Sequence, residues 1–139
     1  ITLLWVINLL YAINNSHIND NELKSWEKFN YSNLEGYIKD DITVFVDVTA
    51  KWCITCVVNK KLVLDNKEIV ELFDKNNVKK VRADWTLKND DILLYLKKYN
   101  KFGVPFNILY SKSFPEGYVF NELVTKAQIK KALNKAISQ

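Results

Sequence analysis

Cys53 and Cys56 are the only cysteines in the sequence, and Ile54 and Thr55 separate them. An apolar run over 42–49 leads into the pair, and a helix-compatible run follows it to about Val63. Two thiols at i and i+3 on the first turn of a helix can close a small disulfide. The free N–H groups and the helix dipole at that place also favour thiolate on the first sulfur. An ordinary thiol has a pKa of about 8.5, and such a setting lowers it by about one unit or more. The chemistry this spacing supports is dithiol/disulfide exchange. Cys53 would attack as the exposed nucleophile, a mixed disulfide would form, and Cys56, one turn further in, would resolve it.

Other uses of the pair remain open to these residues. Zinc takes about four ligands, whereas the chain offers two cysteines and one distant His17. A purely structural disulfide would close a tiny loop and contribute little through loop entropy. Two unrelated buried thiols are the third alternative. The position of the pair between a strand and a helix favours the redox reading, in which the dithiol is its own redox group and no cofactor or metal is expected.

Three further positions are candidates. Asp47 precedes Cys53 by six residues on the strand that leads to it, an ionisable group in a run that predicts burial. A buried carboxylate has a raised pKa and can exchange a proton with a nearby thiol; an exposed aspartate on an edge strand is the plainer alternative. Pro105 follows Gly103-Val104 just before a strand. A cis proline there would let Val104 offer backbone groups to an extended peptide, and a trans turn proline would not. Trp52 can shield the disulfide or meet a partner, or can simply pack half-buried.

The elements that must hold these residues are legible in outline. Trp26, Phe29 and Tyr31 make a small aromatic cluster with a short first strand, and Ser32-Asn33-Leu34-Glu35 is a capping box opening a helix to about Lys39. The run 42–49 suits a central strand buried on both faces. Asp65-Asn66-Lys67-Glu68 is a second capping box, ahead of Ile69, Val70, Leu72 and Phe73 at helical spacing. A strand is expected over 78–84, a helix capped by Asn89 or Asp90, a strand over 106–110, and a shorter strand over 117–120 after a turn at Pro115. Thr125-Lys126-Ala127-Gln128 caps a terminal helix with Ile129, Ala132, Leu133, Ala136 and Ile137 on one side. The alternation of helices and strands indicates an α/β layer fold with a central sheet.

Composition sets the bounds. The 139 residues fit one domain, and 48% hydrophobic with 13% aromatic content excludes a disordered chain. The net charge of +4 is mild, and no basic stripe interleaved with exposed aromatics points to nucleic acid. Residues 1–13 are apolar apart from Thr2 and Asn8, but too few to span a bilayer, which needs about 20. No methionine occurs anywhere, so the sequence reads as beginning inside a longer product. The segment 1–13 is expected to be the end of a transmembrane helix or an anchor; a core or interfacial helix and an uncleaved signal are the alternatives. The polar stretch 14–25 is expected to be a linker. Its first part, 14–23, carries no Lys or Arg, which favours an exit on the non-cytoplasmic side.

Asp47, Trp52-Cys53-Ile54-Thr55-Cys56 and Gly103-Val104-Pro105 resemble the thioredoxin-fold pattern in order and spacing. More narrowly, the stretch from Val46 to Cys56, with Ala83-Asp84-Trp85-Thr86 and Gly103-Val104-Pro105-Phe106, looks like the C-terminal domain of the DsbD family of transmembrane thiol:disulfide interchange proteins. The resemblance covers residues 26–139. It implies a thioredoxin-like domain with a mixed central sheet flanked by helices, following the N-terminal apolar segment. It implies a protein-disulfide reductase on the periplasmic side of the inner membrane. Electrons would come from the membrane domain of the same protein and pass to its N-terminal domain, which supplies disulfide isomerases and cytochrome c maturation. Carried over, Cys53 is the nucleophile, Cys56 the resolving thiol, Asp47 the buried acid/base and Pro105 the substrate-side proline.

Two features depart from that family. Lys51 stands where an acidic residue often precedes the Trp. Val57 and Lys60 stand where several members carry Lys and Glu, the Glu being thought to keep the second thiol protonated. A cation there favours thiolate instead, so a more easily ionised dithiol is expected. Two other functions fit the residues: a free-standing, anchored or secreted thioredoxin-like oxidase or isomerase, and a non-catalytic binding module on the same fold. The direction of electron flow depends on the reduction potential, which CxxC proteins spread over about 150 mV.

Overall fold

The computed structural model describes residues 26–138. The expected membrane-helix end or anchor at 1–13 and the linker at 14–25 lie outside the described residues. The chain runs β1 (Glu27–Lys28), α1 (Tyr31–Lys39), β2 (Val44–Thr49), α2 (Ile54–Asn59) continued by a π turn (Lys60–Leu64), α3 (Lys67–Lys75), β3 (Lys79–Asp84), α4 (Asp90–Lys98), β4 (Phe106–Ser111), β5 (Phe114–Val119) and α5 (Lys126–Ile137). The strands form one mixed sheet in the order β1-β3-β2-β4-β5. β1, β3 and β2 are parallel, and β4 and β5 add antiparallel. β2 is the middle strand, and all six of its residues are buried, because its β-branched and aromatic side chains meet helices on both faces.

Alternation along the strands sorts the core into two halves. Val44, Val46, Val48, Val81, Ala83, Phe106, Ile108 and Tyr110 point to one face, where Leu34 of α1 and Ile92, Tyr95 and Leu96 of α4 cover them. Phe45 and Leu109 point to the other, covered by Val63 and Leu64 of the π turn, Ile69 and Phe73 of α3, and Ile129, Ala132 and Leu133 of α5. The α2 segment enters on this second face. Its end is held by Asn59, a buried side chain whose amide donates to the Glu122 carbonyl at 2.7 Å and accepts from the Val124 N–H at 3.0 Å.

Local chemistry corrects several expectations. Helix α1 is capped by Asn30, whose side chain accepts from the Asn33 N–H, so Ser32 lies inside the helix and forms no capping box. Helix α3 is capped by Asn66, accepting from Glu68 N–H, and not by Asp65. Asn, Asp and Ser are near-equal caps, so residue type alone does not choose between neighbouring candidates. The Thr125–Gln128 capping box is present, and Asn89 caps α4. Trp26, Phe29 and Tyr31 form no single cluster. Trp26 packs on Phe45, whereas Phe29 and Tyr31 pack on Tyr95 across the sheet. Strand β5 starts before Pro115 instead of after it. An outer strand tolerates proline because one of its edges has no ladder to donate to.

Candidate dithiol/disulfide site

The Cys53–Cys56 disulfide sits where β2 hands over to α2. Cys53 is the N-cap of α2, in extended conformation, and its sulfur accepts from the Cys56 N–H at 3.1 Å. In the reduced protein the same donor would favour thiolate on Cys53. Both sulfur residues pack with Ala50 and with Val104 from the segment before β4. The Val104–Pro105 peptide bond is cis. The chain thus brings Cys53, Cys56 and Val104, the residue before Pro105, to one place from the adjacent ends of β2 and β4.

Cys53 is only 7% exposed, against 3% for Cys56. The expectation of an exposed nucleophile is corrected: the N-cap position and the Val104 contact cover most of it. What stands open beside it is apolar. Trp52 is 63% and Ile54 82% exposed. The Trp52 indole N–H donates to the Thr86 carbonyl at 3.1 Å, so the ring is fixed, not free. Thr86 also accepts the Lys51 N–H at its hydroxyl, 3.0 Å, and bonds to the Asp84 carboxylate through both N–H and hydroxyl. Those bonds, the hydroxyl's above all, hold the Asp84 carboxyl below the usual carboxylate range, with Lys51 and Lys60 adding to the effect.

Asp47 is 3% exposed. It shares a face with Phe45 by alternation, the face that α2 enters. Its cross-strand neighbours are Arg82 on β3 and Asn107 on β4, and both bond to it. The Arg82 Nε–H donates to one carboxylate oxygen at 3.0 Å and the Asn107 amide to the other at 2.8 Å. Burial raises the Asp47 pKa above the ordinary value; Arg82, Asn107 and the charge of Lys60 pull against it without cancelling it. A carboxyl so placed can take and return a proton nearer to neutral pH than an exposed one.

Sequence reasoning missed Arg82, Asn107 and Thr86 as site residues. Asn107 carried the same signal as Asp47, a polar residue inside an apolar strand. Arg82 alternates with Val81 and Ala83, which marks its face but not its partner. Among the described residues no group of three or more His, Cys, Asp or Glu side chains is placed to hold a metal ion.

A dithiol/disulfide pair at a helix start, facing a cis proline on a five-stranded mixed sheet, defines the thioredoxin fold. The chain belongs to the thioredoxin-like family, whose profile matches residues 26–112. Among solved structures, chloroplastic thioredoxin z superposes with a TM-score of 0.61 at 25% identity, covering 83% of this chain and 96% of that one. The oxidised C-terminal domain of DsbD from Neisseria meningitidis gives 0.59 at 18% identity, covering 81% of this chain and 99% of that one. A thioredoxin variant from Halobacterium salinarum NRC-1 gives 0.56 at 19%, covering 79% and 90%. No curated protein sequence matches the chain.

Proposed function

We propose that this domain is a protein-disulfide reductase that passes electrons through Cys53 and Cys56. The observation that carries this reading is the Cys53–Cys56 disulfide at the start of α2, packed on Val104 ahead of the cis proline, with Asp47 buried on the strand that leads to it. In the forward reaction the Cys53 thiolate attacks a partner disulfide. One partner sulfur leaves as thiolate, and a mixed disulfide joins Cys53 to the other. Cys56 then attacks the Cys53 sulfur, the internal disulfide forms, and the second partner sulfur leaves. Asp47 takes the Cys56 proton in that step. Trp52 and Ile54 offer the partner protein an apolar landing, and Val104, ahead of the cis proline, offers it backbone groups.

The finer reading places the domain at the periplasmic face of the inner membrane, as the C-terminal module of a DsbD-like protein. Its electrons would come from the membrane domain and go to the N-terminal domain of the same protein. The motifs from Val46 to Cys56 and at Gly103–Phe106 support it, and segment 1–13 would supply the membrane link. Among the described residues no helix is long and apolar enough to cross a membrane. A second reading, a free-standing thioredoxin-like protein, draws support from the likeness to chloroplastic thioredoxin z.

The test is dithiothreitol-driven reduction of insulin disulfides by the domain. Catalysis abolished in Cys53→Ser is expected. A wild-type rate equal to the uncatalysed one would leave only the non-catalytic binding module. The two sites of action separate on thiol trapping in cells: a full-length protein labelled from the periplasm supports the DsbD-like reading, and one labelled only in lysate refutes it.

A further inference from the structure

The exchange chemistry leaves Asn59 without a role, yet α2 depends on it. Four of that helix's six residues, Ile54, Thr55, Val57 and Val58, are β-branched, which weakens a helix, and asparagine is a poor helix former as well. Cys56 and Asn59 are the two buried residues of the six. They stand three positions apart, one turn along the same inner face. The helix thus meets the core through the resolving thiol and one amide. Both arms of that amide are used: Nδ2 donates to the Glu122 carbonyl at 2.7 Å, and Oδ1 accepts from the Val124 N–H at 3.0 Å. An apolar side chain would serve if burial were all the place required. The loop that Asn59 grips, 120–125 between β5 and α5, is itself anchored. Phe120 and Val124 are buried in the half-core around Phe45, and the Phe120 N–H donates to the Asn107 carbonyl at 2.9 Å. Beyond Asn59 the chain changes to the π turn, which has its own anchors in Val63 and Leu64.

The disulfide is the other tie on this helix, joining Cys56 to the N-cap Cys53. It is open in the reduced protein and in the mixed disulfide, when Cys56 must find the Cys53 sulfur. A nucleophile held beside its target attacks within one molecule, and a displacement of about 1 Å can cost about a hundredfold in rate. We propose that Asn59 is a positioning residue for the resolving step: bonded to Glu122 and Val124, it holds α2 in place while the disulfide is open and so keeps Cys56 aimed at Cys53. The amide carries no charge, so its part is geometric and separate from that of Asp47. This inference rests on the reductase reading.

A chromogenic aryl disulfide separates the two steps. Reduced protein attacks it through the Cys53 thiolate and releases one aryl thiolate, at a rate that rises with aryl disulfide concentration. Cys56 then attacks the Cys53 sulfur, closes the internal disulfide and releases the second, its proton passing to Asp47; this rate does not depend on that concentration. The dithiol is oxidised by two electrons and the aryl disulfide is reduced to two thiolates. Asn59→Leu roughly keeps the side chain's size and removes both bonds. It is expected to slow the second release by about tenfold and to leave the first within about twofold. Val57→Ala with Val58→Ala strengthens α2 locally, and should restore most of the second rate in Asn59→Leu. An unchanged second release, an equal slowing of both releases, or no rescue by the alanines overturns the proposal. Should Asn59→Leu not fold, amide hydrogen exchange of the wild-type protein decides. The Val124 N–H, which donates to Asn59, should stay protected when the disulfide is reduced. Loss of its protection on reduction would mean that the clamp opens with the disulfide, and overturns the proposal. A wild-type protein that releases only one aryl thiolate per molecule refutes the reductase reading itself.

Discussion

Two hydrogen-bonded polar clusters lie in this core, one on each face of the sheet, and they are built for different ends. Beneath α4, the hydroxyl of Tyr110 on β4 bonds to that of Tyr95 at 2.7 Å and to that of Tyr99. Across the sheet, Asp47 is held by Arg82 and Asn107. Both clusters lie on adjacent elements; the tyrosine hydroxyls bond to one another, whereas the aspartate row satisfies the carboxylate and leaves Arg82 Nη2 and Asn107 Oδ1 without a hydrogen-bond partner. They differ in charge. Burial pushes Tyr95, Tyr99 and Tyr110 further above their ordinary values, so these hydroxyls stay neutral at any working pH. The aspartate row holds two opposite charges on the face entered by the helix of the dithiol, and burial moves its carboxyl toward neutral pH. Burial and hydrogen bonding do not by themselves mark a functional cluster. A group whose charge can change, on the strand that leads to the reacting sulfurs, does.

The comparison breaks if the two clusters respond alike to substitution. Cys53→Ser should reduce insulin-disulfide turnover to background, since the nucleophile is gone. Asp47→Asn should slow the Cys56 step by about a hundredfold at neutral pH, read as release of the second aryl thiolate. Tyr110→Phe should leave exchange within about twofold while costing about 1–3 kcal/mol in urea unfolding, because the Tyr95 and Tyr99 hydroxyls lose their shared partner. A Tyr110→Phe protein of wild-type stability but impaired exchange would reverse the assignment of the two clusters.

The charge difference also predicts opposite pH behaviour. The folded Asp47 pKa is raised, so between the ordinary carboxylate range and that raised value the folded state binds more protons than the unfolded one. The contribution of Asp47 to stability is therefore fully present below the unfolded value and is lost as pH rises through the folded one. Urea midpoints measured across that window should fall less steeply with pH in Asp47→Asn than in the wild type. The tyrosine cluster adds no slope there. Smallest of all should be Lys60→Glu. Reversing a charge that reaches Asp47 and Asp84 should move the thiolate absorbance of Cys53 to higher pH. An unchanged or lower midpoint would remove Lys60 from the account.

The sequence carried the elements and the reacting atoms more plainly than the contacts between them. The CxxC at a strand–helix junction, the apolar run around Asp47 and the Gly103-Val104-Pro105 break are local patterns, and each lies where the fold needs it. Arg82 and Asn107 were not legible as partners of Asp47, because cross-strand register is set by packing across the sheet and not by neighbours in the chain. The coverage of Cys53 was hidden for the same reason: Val104 precedes β4, a spatial neighbour of β2 that is distant along the chain. Where cap residues competed, as with Asn30 and Ser32, their near-equal preference left the helix start undecided in the sequence.

The central claim is that Cys53 and Cys56 form a reductase dithiol. The equilibrium reduction potential of the pair, measured against glutathione or dithiothreitol buffers, tests it most directly. The account predicts a value near thioredoxin's, about −270 mV, or above it but clearly short of about −180 mV. A value close to about −120 mV would mean a protein oxidant, and would contradict the reductase assignment.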